Sequence, residues 1–175
     1  MDVSVKMPER AASFHEIYER HGRSVYRFAL YLSADSTLAE DITAETFLRL
    51  WGAQQLIVME TVKGYLLAIA RNVYLQERKR ADRFTELAET AEDRASASTA
   101  AEARQELKRT LEWLQRLPES DRAALLMRAE QELPYEEIAR ALNISVSLAK
   151  VKVHRARLRL AEWRQGTGAG PEHHG

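Results

Sequence analysis

An all-α fold is what this sequence predicts, built as two small helical domains joined by a flexible acidic linker. Three observations predict it. Proline and glycine are scarce, with 4 and 7 residues in a chain of 175. Apolar residues recur at three- and four-residue steps through most of the chain, the period of one helix face, and no segment alternates as a strand does. Between two such stretches, the composition turns to Ala, Ser, Thr and acid, with Asp82, Glu86, Glu89, Glu92 and Asp93 against Arg83 and Arg94. Such a segment buries too little apolar surface to hold a fold of its own.

The first helix is expected from Ser13 to about Leu32, with Phe14, Ile17, Tyr18, Val25, Phe28 and Leu32 inward and Gly22 as a weak spot. The second is expected from Thr37, where Thr37 and Glu40 form a capping box. Its inner face reads Ala39, Ile42, Thr43, Thr46, Phe47 and Leu50, and Trp51 is assigned to the core. A loop spans 53–60. The third helix is expected from Thr61 to Arg80, with Val62, Tyr65, Leu66, Ile69, Ala70 and Val73 inward. The linker occupies 81–104, and Thr99 with Glu102 forms a second capping box at its end. Leu107, Leu111 and Leu114 then mark a helix running to Leu117-Pro118. Another covers Asp121 to Gln131. The domains are accordingly 1–80 and 105–165, with a disordered tail over 166–175. The tail pair His173-His174 is read as a flexible end rather than a metal site.

Composition bounds the function. Hydrophobic residues make up 45% and charged residues 30%, ordinary for a globular protein. Net charge is zero and cysteine is absent. Disulfides and thiolate metal sites are thereby excluded, and a cytoplasmic location is expected. No apolar run has the length of a membrane span, and the first residues lack the apolar core of a signal peptide. Paired catalytic carboxylates, a phosphate loop and a nucleophile motif are all missing, so neither an enzyme nor a cofactor is expected.

One span carries chemistry. In Tyr135-Glu136-Glu137-Ile138-Ala139-Arg140-Ala141-Leu142, the residues Ile138, Ala139 and Leu142 share a helix face. Asn143 tolerates the left-handed conformation that ends a helix. Ser145 is a good N-cap for a second helix. There Ala149, Val153, Ala156 and Leu160 face one way, while Ser147, Lys150, Lys152, Arg155, Arg157 and Arg159 occupy the other faces. Residues 144–165 carry a net charge of +5. Helix, tight polar break and basic helix are the parts of a helix-turn-helix, whose second helix enters a DNA major groove. A solvated charged face is the alternative.

With two α domains and a terminal helix-turn-helix, the chain resembles the extracytoplasmic-function group of bacterial sigma factors. The matching stretches are residues 39–51 (Ala39-Glu40-Asp41-Ile42 through Leu50-Trp51), residues 63–72 (Lys63-Gly64-Tyr65-Leu66 through Arg71-Asn72), Leu117-Pro118, Arg122, Tyr135-Glu136-Glu137-Ile138-Ala139 and His154-Arg155-Ala156-Arg157. The resemblance implies a first domain that binds the clamp of core RNA polymerase and opens the −10 promoter element. It implies a second domain that reads the −35 element and touches the polymerase flap. Asp41, Glu45, Leu48 and Arg49 are then clamp-facing. Lys63, Arg71, Asn72, Arg78 and Arg80 follow the −10 strand, with a flipped base in the loop over 53–60. Ser147, Leu148, Lys150, Val151, Lys152 and Arg155 meet the −35 duplex. An anti-sigma factor is a further implied partner. The family often has Gly-Thr-Val in place of Ser147-Leu148-Ala149, and Ser-Arg-Leu in place of Val151-Lys152-Val153. Leu148 and Val151 are therefore expected to meet thymine methyl groups. A helix-turn-helix regulator that acts without joining polymerase is the alternative function.

Overall fold

The computed structural model describes residues 10–53, 62–84 and 101–166. Among these residues every element is helical: α1 (Arg10–Ser33), α2 (Ser36–Gly52), α3 (Val62–Phe84), α4 (Ala101–Arg116), α5 (Glu119–Leu125), a π-helical turn (Leu126–Glu130), α6 (Tyr135–Leu142) and α7 (Val146–Arg164). The loop over 53–60 lies, but for Ala53, outside the described residues. So do Thr99, the tail histidines and most of the linker.

Helices α1 to α3 form the first half. Val25, Phe28 and Leu32 of α1 pack with Ile42, Phe47 and Leu50 of α2 and Leu66, Ala70 and Val73 of α3, as the apolar periodicity requires. Two details differ from expectation. The N-cap of α2 is Asp35, whose carboxylate accepts the Leu38 N–H at 3.0 Å, so Thr37 already lies inside the helix. Asp and Thr are both good caps, and Asp35 comes first along the chain. Thr43 is only half-buried, with its hydroxyl donating to the Ala39 carbonyl at 2.7 Å.

Trp51 departs further from expectation. It is 64% exposed, meeting Phe14 edge to face at a ring separation of 4.9 Å. It follows the buried Leu50 at the end of α2 and points to the rim of the core, where Phe14 of α1 covers only part of the ring.

The second half gathers Leu114, Leu117, Ala123, Met127, Leu133, Ile138, Leu142, Ala149 and Val153. Only the end of α4 reaches this core; Leu107 is exposed. Residues 81–84 and 101–104, at the two ends of the expected linker, are helical, since α3 runs on to Phe84 and α4 starts at Ala101. Residues 81–84 are exposed, and Arg83 in the last turn complements the helix dipole.

The halves pack against each other, with α1 touching α4 and the π-helical turn, and α3 lying on α6. Polar groups fasten this seam. The Gln115 side-chain amide donates to the Tyr31 and Leu32 carbonyls at 3.3 and 3.1 Å, satisfying orphan acceptors at the end of α1. Gln131 donates to the Ser24 carbonyl at 3.2 Å, and Arg27 pairs with Glu130 at 2.8 Å. Arg122 is buried in the seam. Its guanidinium donates to the Tyr74 hydroxyl at 3.1 Å, to Gln115 Oε1 at 3.0 Å and to the Leu114 carbonyl at 3.3 Å. Burial pulls the Arg122 pKa below its ordinary value, and Tyr74 and Glu119 oppose that pull. This seam explains why Tyr74, off the expected inner stripe of α3, is buried.

Candidate nucleic-acid interface

Helix α7 is built by local rules. Helix α6 ends at Asn143, which takes φ 54° and ψ 50° and donates its N–H back to Arg140. Ser145 then caps α7, its hydroxyl oxygen accepting the Leu148 N–H at 3.1 Å. Ala149, Val153 and Ala156 are fully buried, so α7 is held by a narrow stripe of small side chains. Small residues let α7 approach α5 and α6 closely, which leaves most of its girth uncovered.

Three other strips follow. Opposite the buried stripe lie Ser147, Val151, His154 and Leu158, all exposed. Toward α6 lie Lys150 and Arg157. The Lys150 ammonium sits 5.7 Å from the centre of the Tyr135 ring, whose Arg128 neighbour is at 4.5 Å. Toward α5 lie Leu148, Lys152, Arg155 and Arg159. The outward strip thus carries no Lys or Arg, being two polar and two apolar side chains, and the cations line its two edges.

Lys152 and Arg155 are already engaged within the chain. The Arg155 Nε donates to Asp121 Oδ2 at 2.7 Å and its Nη2 to Oδ1 at 2.8 Å. The Lys152 ammonium donates to Ser120 Oγ at 2.8 Å and to Asp121 Oδ1 at 3.2 Å. Lys152 keeps only 14% of its side chain exposed, whereas Arg155 keeps 46%. Lys152, expected on the groove face, is therefore turned inward by the buried acid beside it. Burial alone would raise the Asp121 pKa; hydrogen bonds from Arg155 and Lys152, with their charges, outweigh it and hold the carboxyl below its ordinary value. The same bond to Asp121 pushes the Arg155 pKa up.

The expected −10 residues spread along α3. Arg71 and Arg78, seven residues apart, share a face, while Arg80 falls on the opposite one. Arg80 pairs with Glu77 at 3.4 Å, and Arg78 lies over the Tyr74 ring. Lys63 is half-buried in the first turn and Asn72 is exposed. Arg71 makes a two-point pair with Glu119 of α5, both bonds at 2.7 Å. Its charge is spent on the other half of the molecule.

The four residues expected to face polymerase do come together. Asp41, Glu45 and Leu48 share one face of α2, with Arg49 beside them paired to Glu45 at 2.8 Å. Arg49 also donates to Gln76 Oε1 at 2.7 Å, which ties α2 to α3. Leu48 is 65% exposed, next to the exposed Trp51.

Sequence reasoning missed Glu119, Ser120 and Asp121. One turn of α5 bears the acids that hold Arg71, Lys152 and Arg155. Their partners lie 31 to 48 residues away, so no local pattern reveals them. Among the described residues no group of His, Cys, Asp and Glu could hold a metal ion, and no helix is long and apolar enough to cross a membrane.

Comparison with known proteins fits both halves. The Sigma-70 region 2 family matches residues 17–84, and the Sigma-70, region 4 family matches residues 107–160. The chain is 33% identical over 150 residues to the ECF RNA polymerase sigma factor SigM of Bacillus subtilis (strain 168), across 83% of this chain and 91% of that one. It is 31% identical over 160 residues to the ECF RNA polymerase sigma factor SigE of Mycolicibacterium smegmatis, across 86% of this chain and 61% of that one. Two solved structures share the fold. One is the sigma factor RpoE of Bartonella quintana in complex with the anti-sigma factor NepR, with TM-score 0.75, 24% identity and coverage of 89% and 98%. The other is CnrH in complex with the cytosolic domain of CnrY, with TM-score 0.68, 22% identity and coverage of 90% of each chain. Two family matches in the right order, and a relative aligned over nearly its whole length, lead to one conclusion: the chain belongs to the ECF RNA polymerase sigma factors.

Proposed function

We propose that this chain joins core RNA polymerase in the cytoplasm and directs it to a defined set of promoters. The −35 element is read as duplex by α7, and the −10 element as a separated strand by α3. The observation that carries this reading is the capped helix-turn-helix whose second helix exposes Ser147, Leu148, Val151 and Arg155 together. Its outward strip and the adjoining Arg155 suit base edges and thymine methyls, and the other cations on its edges suit the flanking phosphates. Lys150 serves a phosphate, while Lys152 braces the helix from behind.

Residues 1–80 form the clamp and −10 domain, and residues 105–165 the −35 and flap domain. Asp41, Glu45, Leu48 and Arg49 meet the clamp. Lys63, Arg71, Asn72 and Arg78 track the melted strand once the halves separate, and Arg80, on the opposite face of α3, meets it only where the strand passes the end of the helix. The two readers act through each other, since polymerase that holds both raises the effective concentration of each at its site. An anti-sigma factor, of the kind that holds RpoE, is a further partner of this chain.

The test is run-off transcription by reconstituted holoenzyme from promoters found by mapping start sites after overexpression. Arg155→Ala is expected to lower transcription about tenfold or more while polymerase binding stays intact. Unchanged transcription would overturn the assignment. So would tight duplex binding by the chain alone, which marks a regulator that works without polymerase.

A further inference from the structure

Asp121 has no exposed surface, yet three donors converge on it from α7. Lys152 brings its ammonium and Arg155 brings two nitrogens of its guanidinium. A guanidinium offers five N–H donors in a rigid plane, arranged along more than one edge. Asp121 takes the edge formed by Nε and Nη2. The edge formed by Nη1 and Nη2 is left over, and no described residue bonds to Nη1. The side chain as a whole keeps 46% of its surface exposed, which leaves room for a ligand beside it. Its donor spacing matches the O6 and N7 acceptors of guanine in the major groove.

We infer that Asp121 is a positioning residue for promoter reading, fixing the plane of Arg155 so that its free edge meets a guanine of the −35 duplex. The inference rests on the duplex-reading function proposed for α7. A free arginine on a helix surface swings among rotamers and serves any phosphate within reach. An arginine pinned along one edge has one plane left, and a planar base edge fits it where a phosphate on the groove wall does not. Asp121 is well placed to do this, being itself rigid: it lies in the first turn of α5, inside the core. It also draws Lys152 out of the groove, so that no flexible ammonium competes for the same acceptors.

The experiment uses holoenzyme made from the full chain and core polymerase. Duplexes are selected from a library randomised across the −35 region, and the guanine position most enriched by the wild type is identified. The affinity ratio between that guanine and adenine is then measured for wild type, Asp121→Asn, Arg155→Lys and the double variant. The ratio is expected to fall roughly tenfold or more in each single variant, with preferences at the other positions intact. Asp121→Asn is expected to add nothing in the Arg155→Lys background, because both act through one contact. Asp121→Ser, smaller and neutral, is measured in parallel. Loss of the melting transition in one Asp121 variant then leaves the other to decide. A uniform drop in affinity at all positions, or a further loss in the double variant, makes Asp121 merely structural and overturns the inference. Absence of any −35 preference in the wild type overturns duplex reading itself, a result distinct from a preference that ignores Asp121.

Discussion

Asn143 stands in the left-handed region at φ 54°, between two helices that must turn sharply. Asparagine bears this conformation better than other residues with a Cβ, because its short side chain bonds locally. Asn143→Ala is expected to cost about 1 kcal/mol and Asn143→Gly nearly nothing, measured by thermal unfolding. An equal loss in both would show that the side chain, not the backbone, holds the turn. Asp121 gives a pH signature at the same scale. Its folded pKa is lowered, so between that value and the ordinary 3.8 the unfolded chain binds a proton that the folded chain refuses. Stability is therefore present above this window and lost as pH falls through it. Acid unfolding of Asp121→Asn is expected to be shallower below pH 3.8 than that of the wild type. Identical acid limbs would show that Asp121 is not held ionised. Asn143 and Ser145 were legible in the sequence because each acts on its nearest neighbours. Asp121 was not, because its partners lie on another helix and nothing beside it marks it.

Helix α7 shows how the same chain reads differently at the scale of an element. Apolar spacing gave its buried face, since Ala149, Val153 and Ala156 are all fully buried, though Leu160 at the end of that stripe is only half-buried. Charge counting gave too uniform a picture of the rest. Six Lys and Arg occur along the helix, but Lys152 is turned inward and the outward strip is mainly Ser147, Val151, His154 and Leu158. A net charge therefore overstates what the groove sees. Salt dependence measures the difference. Removing one phosphate contact lowers the slope of log affinity against log salt by about 1. Lys150→Ala in holoenzyme is expected to show that change, and Lys152→Ala a much smaller one. Equal slopes for the two would mean that Lys152 leaves Asp121 when DNA arrives. Leu148 and Val151, 40% and 52% exposed, extend the contrast. Replacing either by Ser is expected to weaken selection for thymine at one position, with no loss of melting temperature, since neither contributes to the core.

At the scale of the whole molecule, the two candidate readers face a conflict. The two halves were legible in the sequence, each carrying its own apolar stripe, but their seam was not. It is made by Gln115, Gln131, Arg122 and Tyr74, polar or part-polar side chains that no hydrophobic period marks. Within it Arg71, proposed to follow the −10 strand, is held by Glu119 through two bonds of 2.7 Å. Both side chains are about five-sixths buried, so this is not a solvent-screened surface pair. Glu119 takes the Nε and Nη2 edge, and with only 15% of the Arg71 side chain exposed the seam leaves no room for a phosphate beside the remaining one, so strand binding by Arg71 requires α5 to leave α3. Breaking such a pair by removing one partner leaves an uncompensated buried charge and costs about 3 kcal/mol. Glu119→Lys goes further, since it places like charges together. It is expected to shift the balance from packed to separated halves by roughly a thousandfold, the equivalent of about 4 kcal/mol. Small-angle scattering should report a larger radius, and a mixed-sequence single-stranded oligonucleotide should bind the free variant more tightly than the wild type. The reciprocal pair Arg71→Glu with Glu119→Arg should restore the compact radius and lose the gained strand binding, because the seam closes again and Arg71 is no longer there to meet the phosphates. A variant that expands yet binds the strand no better would leave the seam as described and remove Arg71 from the −10 surface. A variant that stays compact would show that Gln115, Gln131 and Arg122 hold the halves together without the Arg71–Glu119 pair.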